Sequence, residues 1–184
     1  MALERAAWLE RRYGAQIEWV PFDLHPEYPP EGIPRRKLEE RYGEGFADSV
    51  KHMIEDAGFT YNPPEVIPNS KHSLEVAELA RDAGRFSQMH ERLFDAYWSR
   101  QLDIGDPAVL EKLAVEVGLE SADVRAALED GRYQERIGLT TKAALDLGVG
   151  GVPAWLIDDE LVVSGAKPHE AFDQVMQEMG YKGD

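Results

Sequence analysis

The sequence predicts an α/β chain in which a long helical block separates two shorter mixed segments. Three observations carry this. An apolar stripe at helical spacing opens the chain and leads into the alternating stretch "QIEWVPFDL". A run of some eighty residues in the middle has helical periodicity and helix punctuation throughout. Two short apolar runs, "AWLI" and "LVV", then precede a closing amphipathic segment. The coarse order is helix, strand, helical block, strand, strand, helix.

Leu3, Ala6, Ala7, Trp8 and Leu9 form the first stripe, and Gly14 after Tyr13 is a stop signal. In "QIEWVPFDL", Ile17, Trp19 and Pro21 alternate with Glu18 and Val20, which predicts a short strand ending at the proline. "HPEYPPEGIP" holds four prolines and reads as a loop without regular structure. Helices are expected near Arg35–Tyr42 and over Phe46–Ala57, where Phe46, Val50, Met53, Ile54 and Ala57 share one face. "YNPPEVIPNS" is a second proline-rich connector. Ser70 or Ser73 is placed to cap a helix running to Ala83, and Phe86–Tyr97 forms the next. Asp106 is a cap with Pro107 at the first helical position and Gly118 as the stop. Ser121 and Gly131 play the same parts for the following helix, and a longer one spans about Arg132 to Leu147. "DDE" between the two apolar runs suits a tight hairpin. Phe172, Val175, Met176 and Met179 give the closing helix its apolar side.

Charge and composition exclude whole classes of function. The formal net charge is −15, with 35 acidic against 20 basic residues, which disfavours an electrostatic hold on nucleic acid or anionic membranes. No run approaches the roughly 18 apolar residues of a membrane span, and "MALERAAWLERRYG" carries charges where a signal peptide needs an unbroken apolar region. A cytoplasmic location is expected. There is no cysteine, hence no disulfide, no thiolate metal site and no cysteine nucleophile in this chain. The five histidines, His25, His52, His72, His90 and His169, show neither an i, i+4 pair nor a metalloprotease spacing, so no metal or other cofactor is expected.

Two segments resemble the thioredoxin superfamily, and within it the DsbA-like oxidoreductases of the cytoplasmic FrnE type, whose relatives include kappa-class glutathione transferases and 2-hydroxychromene-2-carboxylate isomerases. One is "IEWVPFDLHPEYPPEG"; the more specific is "LGVGGVPAWLIDDELVVSGAKP", similar to that family's Val-Pro loop, hairpin and Ser-Gly-Ala turn. "PNSKHSLEVAELAR" and "LDIGDPAVLEKLA" resemble its helical insertion. The resemblance implies a thioredoxin-like (DsbA-like) α/β core at 1–45 and 148–184, with a helical insertion domain at 46–147. It implies thiol–disulfide exchange on a protein or small-thiol substrate, glutathione included, and a homodimer is a further expectation. It also implies that Pro153 is cis and that Val152 offers an extended backbone edge to a peptide or to glutathione.

Ser164 and Gly165 lie in the turn that helps bind glutathione in the kappa-like relatives. Read as residues alone, the same turn is a glycine-permitted bend leading into a helix. Asn69 resembles a glutathione-contacting asparagine, and it is equally a helix-start signal. Trp8, Trp19, Phe86, Phe94, Tyr97, Trp98 and Trp155 could line an apolar groove, although most sit at core spacing. Arg35 and Arg36 could bind a carboxylate, or simply be solvated.

The family's first strand and CxxC motif would precede the counterpart of "LERAAWLERRYG", so neither is expected in this chain, which as written should have no catalytic residue for dithiol exchange. Two alternatives stand beside an oxidoreductase lacking its redox centre. One is a non-catalytic peptide- or partner-binding module of the same fold. The other is a glutathione-dependent isomerase of the chromene-carboxylate type, in which a serine replaces the first cysteine of the motif.

Overall fold

The computed structural model describes residues 2–43 and 45–183; Met1, Glu44 and Asp184 lie outside the described residues. The chain divides into two compact units, one of Met1–Val20 with Lys142–Asp184 and one of Pro21–Thr141.

In the first unit, α1 (Ala2–Tyr13) ends at Gly14, whose φ of 63° and bond from its N–H to the Glu10 carbonyl close the last turn. Strands β3 (Ala154–Ile157) and β4 (Leu161–Ser164) form an antiparallel hairpin with Trp155 opposite Val163. Asp158 and Asp159 turn the hairpin at φ 51° and 59°; aspartate tolerates the left-handed region better than most residues. The unit closes with α9 (His169–Glu178). Fully buried Phe172, with Met176 and Leu9, forms the core, and Trp155, Ile157 and Val163 pack on it from one face of the hairpin.

The strand expected over Ile17–Pro21 is absent. Ile17 contributes to the core around Phe172, but no ladder partner pairs this segment among the described residues. Alternation supplies a buried face; it cannot supply a neighbouring strand.

The second unit is a helical assembly. It contains α2 (Arg36–Tyr42), α3 (Phe46–Asp56), α4 (Lys71–Asp82), α5 (Phe86–Trp98), α6 (Pro107–Glu116) and α7 (Ser121–Asp130), and α8 (Gln134–Asp146) leads out of it. Its core is built from α4 (Val76, Ala80), α5 (Met89, Leu93) and α6 (Leu110, Leu113), all less than a tenth exposed. The Asp106 side chain accepts from the Ala108 N–H at 2.8 Å with Pro107 at the first helical position, and Gly131 ends α7 at φ 62°. Ser121 is the first helical residue of α7, and Glu120 holds the cap position without a side-chain bond. The Ser121 hydroxyl instead donates to Glu111 of α6, a partner that only tertiary packing supplies.

Both proline-rich connectors, expected to lack regular structure, carry a short strand: β1 (Ile33–Pro34) pairs antiparallel with β2 (Val66–Ile67). Pro34 is tolerated because a two-stranded ladder consists of edges. Gly32 at φ 74° precedes it, and any Cβ there would collide with the Ile67 carbonyl oxygen.

Glu75 of α4 is fully buried; its Oε1 accepts from Gln134 Nε2 at 3.3 Å, and its Oε2 has no partner among the described residues. Burial pushes this carboxyl above its ordinary range. A raised acid adds stability that is complete below the unfolded-state value and is lost as pH rises through the folded one. Glu75→Gln should therefore be more stable than the parent at pH 8, by about 1 kcal/mol, with the gain shrinking toward pH 4. Urea titrations at the two pH values measure it; a variant that loses stability at pH 8 would show that the carboxylate has a favourable charged partner.

Candidate functional site

The most specific segment of the sequence lies in the first unit, where α8 ends and β3 begins. Gly148, at φ 81°, and Val149 close the helix by bonding to the carbonyls of Leu145 and Ala144 at 2.9 and 3.0 Å. Gly150 and Gly151 carry the chain to Val152, which is 57% exposed, and the Val152–Pro153 peptide is cis.

The register of the hairpin sets what this loop presents. The Gly165 N–H donates to the Pro153 carbonyl at 2.8 Å, which places Pro153 and Gly165 at a hydrogen-bonded position of the ladder. Antiparallel ladders alternate, so Trp155 and Ile157 face β4 with their peptide groups, whereas Ala154 and Leu156 turn theirs to the outer edge. No backbone hydrogen bond reaches that edge among the described residues. Leu156 is 45% exposed on the hairpin face opposite Trp155. The result is an open strand edge at Ala154 and Leu156, next to the exposed Val152 of the Val-Pro loop and chemically suited to take an extended backbone.

Val152, Pro153, Ser164 and Gly165 are thus brought together at one end of the hairpin, with Ala154 opposite Ser164. Ser164 is exposed, and Gly165, at φ 84°, turns the chain out of β4. Asn69 belongs to the second unit, where its amide is engaged at both ends. Nδ2 donates to the Tyr28 carbonyl at 2.6 Å, and Oδ1 accepts from the Lys71 N–H at 2.9 Å, as a helix-start side chain does. Arg35 donates to the Pro64 carbonyl at 2.7 Å and to the Tyr97 hydroxyl, while Arg36 pairs with Glu40 at 3.5 Å. Of the aromatic set, Trp8 and Trp155 pack within the first unit, and Phe86, Phe94, Tyr97 and Trp98 within the second.

Sequence reasoning missed a polar seam between α1 and α9. The Trp8 ring stacks on His169 at 4.4 Å and 18°. One turn on, Asp173 accepts from the Tyr13 hydroxyl and from Arg12 Nε, the latter at 2.7 Å. These bonds, Tyr13's first and Arg12's second, hold the Asp173 carboxyl below its usual range. The available signal was spacing: Arg5, Trp8 and Arg12 share one helical face, as do His169 and Asp173.

Among the described residues no group of three or more His, Asp or Glu could hold a metal ion, and no helix is long and apolar enough to cross a membrane.

A family model described as a DSBA-like thioredoxin domain matches residues 1–177. The chain is 30% identical over 166 residues to the uncharacterized protein YwbO of Bacillus subtilis (strain 168), covering 89% of this chain and 82% of that protein. Among solved structures, a probable DsbA oxidoreductase, SCO1869 from Streptomyces coelicolor, superposes with a TM-score of 0.76 at 26% identity, over 86% of this chain and 73% of that one. A 2-hydroxychromene-2-carboxylate isomerase superposes with a TM-score of 0.69 over 97% of this chain and 87% of that one; at 19% identity this likeness is one of fold.

Asp173→Asn keeps an acceptor oxygen but removes the negative charge that ties α1 to α9. A lowered acid stabilises above its unfolded-state value, and that stability is lost as pH falls through the folded one. The variant should melt below the parent at pH 7, and the two should converge as pH falls below about 4. Thermal melts at both pH values decide it; equal melting temperatures at pH 7 would mean that the seam is energetically idle.

Proposed function

The chain belongs to the DSBA-like thioredoxin-domain family, and from that membership we propose that it serves thiol–disulfide exchange on protein substrates as the part that holds the substrate backbone. The observation that carries this reading is the open edge of Ala154 and Leu156, without backbone partners among the described residues and flanked by exposed Val152. An extended segment laid on that edge gains main-chain hydrogen bonds and is held in one register.

Exchange itself needs a thiolate that attacks one sulfur of a disulfide, forms a mixed disulfide and releases the other sulfur as a thiolate. These 184 residues contain no such group. The proposal therefore separates holding from attack: this chain orients the disulfide-bearing strand, and the attacking sulfur is not one of its own.

Two experiments test the two halves. In insulin reduction by dithiothreitol, the 184-residue chain should leave the rate at its uncatalysed value; catalysis above that rate would overturn the account of the chemistry. In an amide-shift titration with an extended, disulfide-bearing peptide, the resonances that move should be those of Val152, Ala154, Leu156 and Gly165. Shifts confined to other residues, or none at millimolar peptide, would overturn the account of binding. Reduced glutathione added as a competitor reports whether a small thiol uses the same edge.

A further inference from the structure

His169, the first residue of α9, uses one ring nitrogen for two incompatible partners. Its Nε2 lies 2.8 Å from Arg5 Nη1 and 3.0 Å from Glu4 Oε1. A neutral imidazole has a single N–H. If Nε2 is bare, it accepts from Arg5 and turns a lone pair toward the Glu4 carboxylate. If Nε2 carries the proton, it donates to Glu4 and turns an N–H toward the guanidinium. Only one of the two contacts is a hydrogen bond in any one protonation state.

The surroundings decide which. Arg5 has partners besides the ring: its Nε donates to the Lys167 carbonyl at 2.8 Å, its Nη1 also reaches Glu4, and its side chain is only 18% exposed. A held guanidinium at the shorter distance is the stronger claimant on a neutral ring. When the ring becomes an imidazolium both nitrogens carry protons; it can no longer accept from Arg5, and the Glu4 carboxylate becomes its natural partner. Trp8 stacks on the same ring at 4.4 Å and keeps it in place in both states.

The other charges around the ring are committed or exposed. Asp173, one turn along α9, is engaged by Tyr13 and Arg12. Glu170 and the Lys167 side chain are exposed.

We infer that His169 is a proton-operated latch: the neutral ring holds Arg5, and through it the Lys167 carbonyl, while the protonated ring transfers its bond to Glu4 and loosens the tie between α1 and the turn of Ser164–Lys167. That turn begins with the Ser164 and Gly165 that stand at the Val-Pro end of the hairpin, so acidification should act on the same end of the molecule.

Nitrogen NMR of the intact chain tests this directly. At pH 8 the His169 ring should be the tautomer protonated on Nδ1, with Nε2 bare, and it should become doubly protonated on acidification. Exchange protection of the Arg5 Nε–H should fall by about threefold between pH 8 and pH 5, after correction for intrinsic exchange, and should not change with pH in His169→Gln. At pH 5 the His169 Nε2–H should exchange about twofold faster in Glu4→Gln, at an exposed position, than in the parent. An Nε2-protonated ring at pH 8 would overturn the inference. So would protection that falls equally in His169→Gln, or an Nε2–H exchange rate at pH 5 indifferent to Glu4→Gln.

Discussion

The burial of Phe172 is the contact on which the first unit rests. A two-stranded hairpin of four-residue strands is marginal in water by itself, because it buries one face and leaves both edges open. Here one face is covered: Trp155 meets Phe172 edge-on at 5.2 Å and 77°, and Ile157, Val163, Leu9 and Met176 complete the cluster. Period-two alternation then does the rest. Once Trp155 points inward, Leu156 must point outward, and the peptide groups of Ala154 and Leu156 must face away from β4. The open edge is thus a consequence of how the core is filled.

The two units differ in what holds them. The helical unit gains its core from side chains on successive helices, each pinned by local punctuation and each able to bury its stripe against the next. Its polar interior is less settled. Glu78 is 1% exposed and is bonded at 3.0 Å by both Arg81 and Arg136, whereas Glu75, one turn earlier on α4, has a single bond from Gln134 and an unpartnered oxygen. Two glutamates of similar burial on the same helix therefore carry opposite balances: the cost of desolvation is offset at Glu78 by two guanidinium groups and stands largely uncompensated at Glu75.

What was legible in the sequence follows the range of the interaction responsible. Helix limits depend on groups within four residues, and Asp106 with Pro107, Gly118 and Gly131 marked them correctly. The "DDE" hairpin is equally local, since adjacent aspartates can take the left-handed turn. The errors concern longer range. Alternation over Ile17–Pro21 describes a strand's faces and says nothing of a partner, and no partner pairs it. Ser121 has the right chemistry for a cap but bonds Glu111 ten residues away. The β1–β2 pair joins two proline-rich loops more than thirty residues apart, and neither loop reads as a strand alone. The seam of Glu4, Arg5, His169 and Asp173 links residues some 160 apart: local spacing groups each half on its own helix face, and only the fold brings the two faces together.

The absence of cysteine bears on the Val-Pro loop less than the loop's resemblance to a thiol site suggests. A thiol opposite such a loop supplies reactivity; it is no part of what gives this loop its shape. The geometry here comes from the Gly165–Pro153 hydrogen bond, from the closure of α8 by Gly148 and Val149, and from the packing of Trp155 on Phe172. None of these involves sulfur, so the backbone-presenting edge is complete without it. Holding a strand and attacking a disulfide are therefore physically separable tasks, and the edge in these 184 residues takes its shape from apolar packing and strand register.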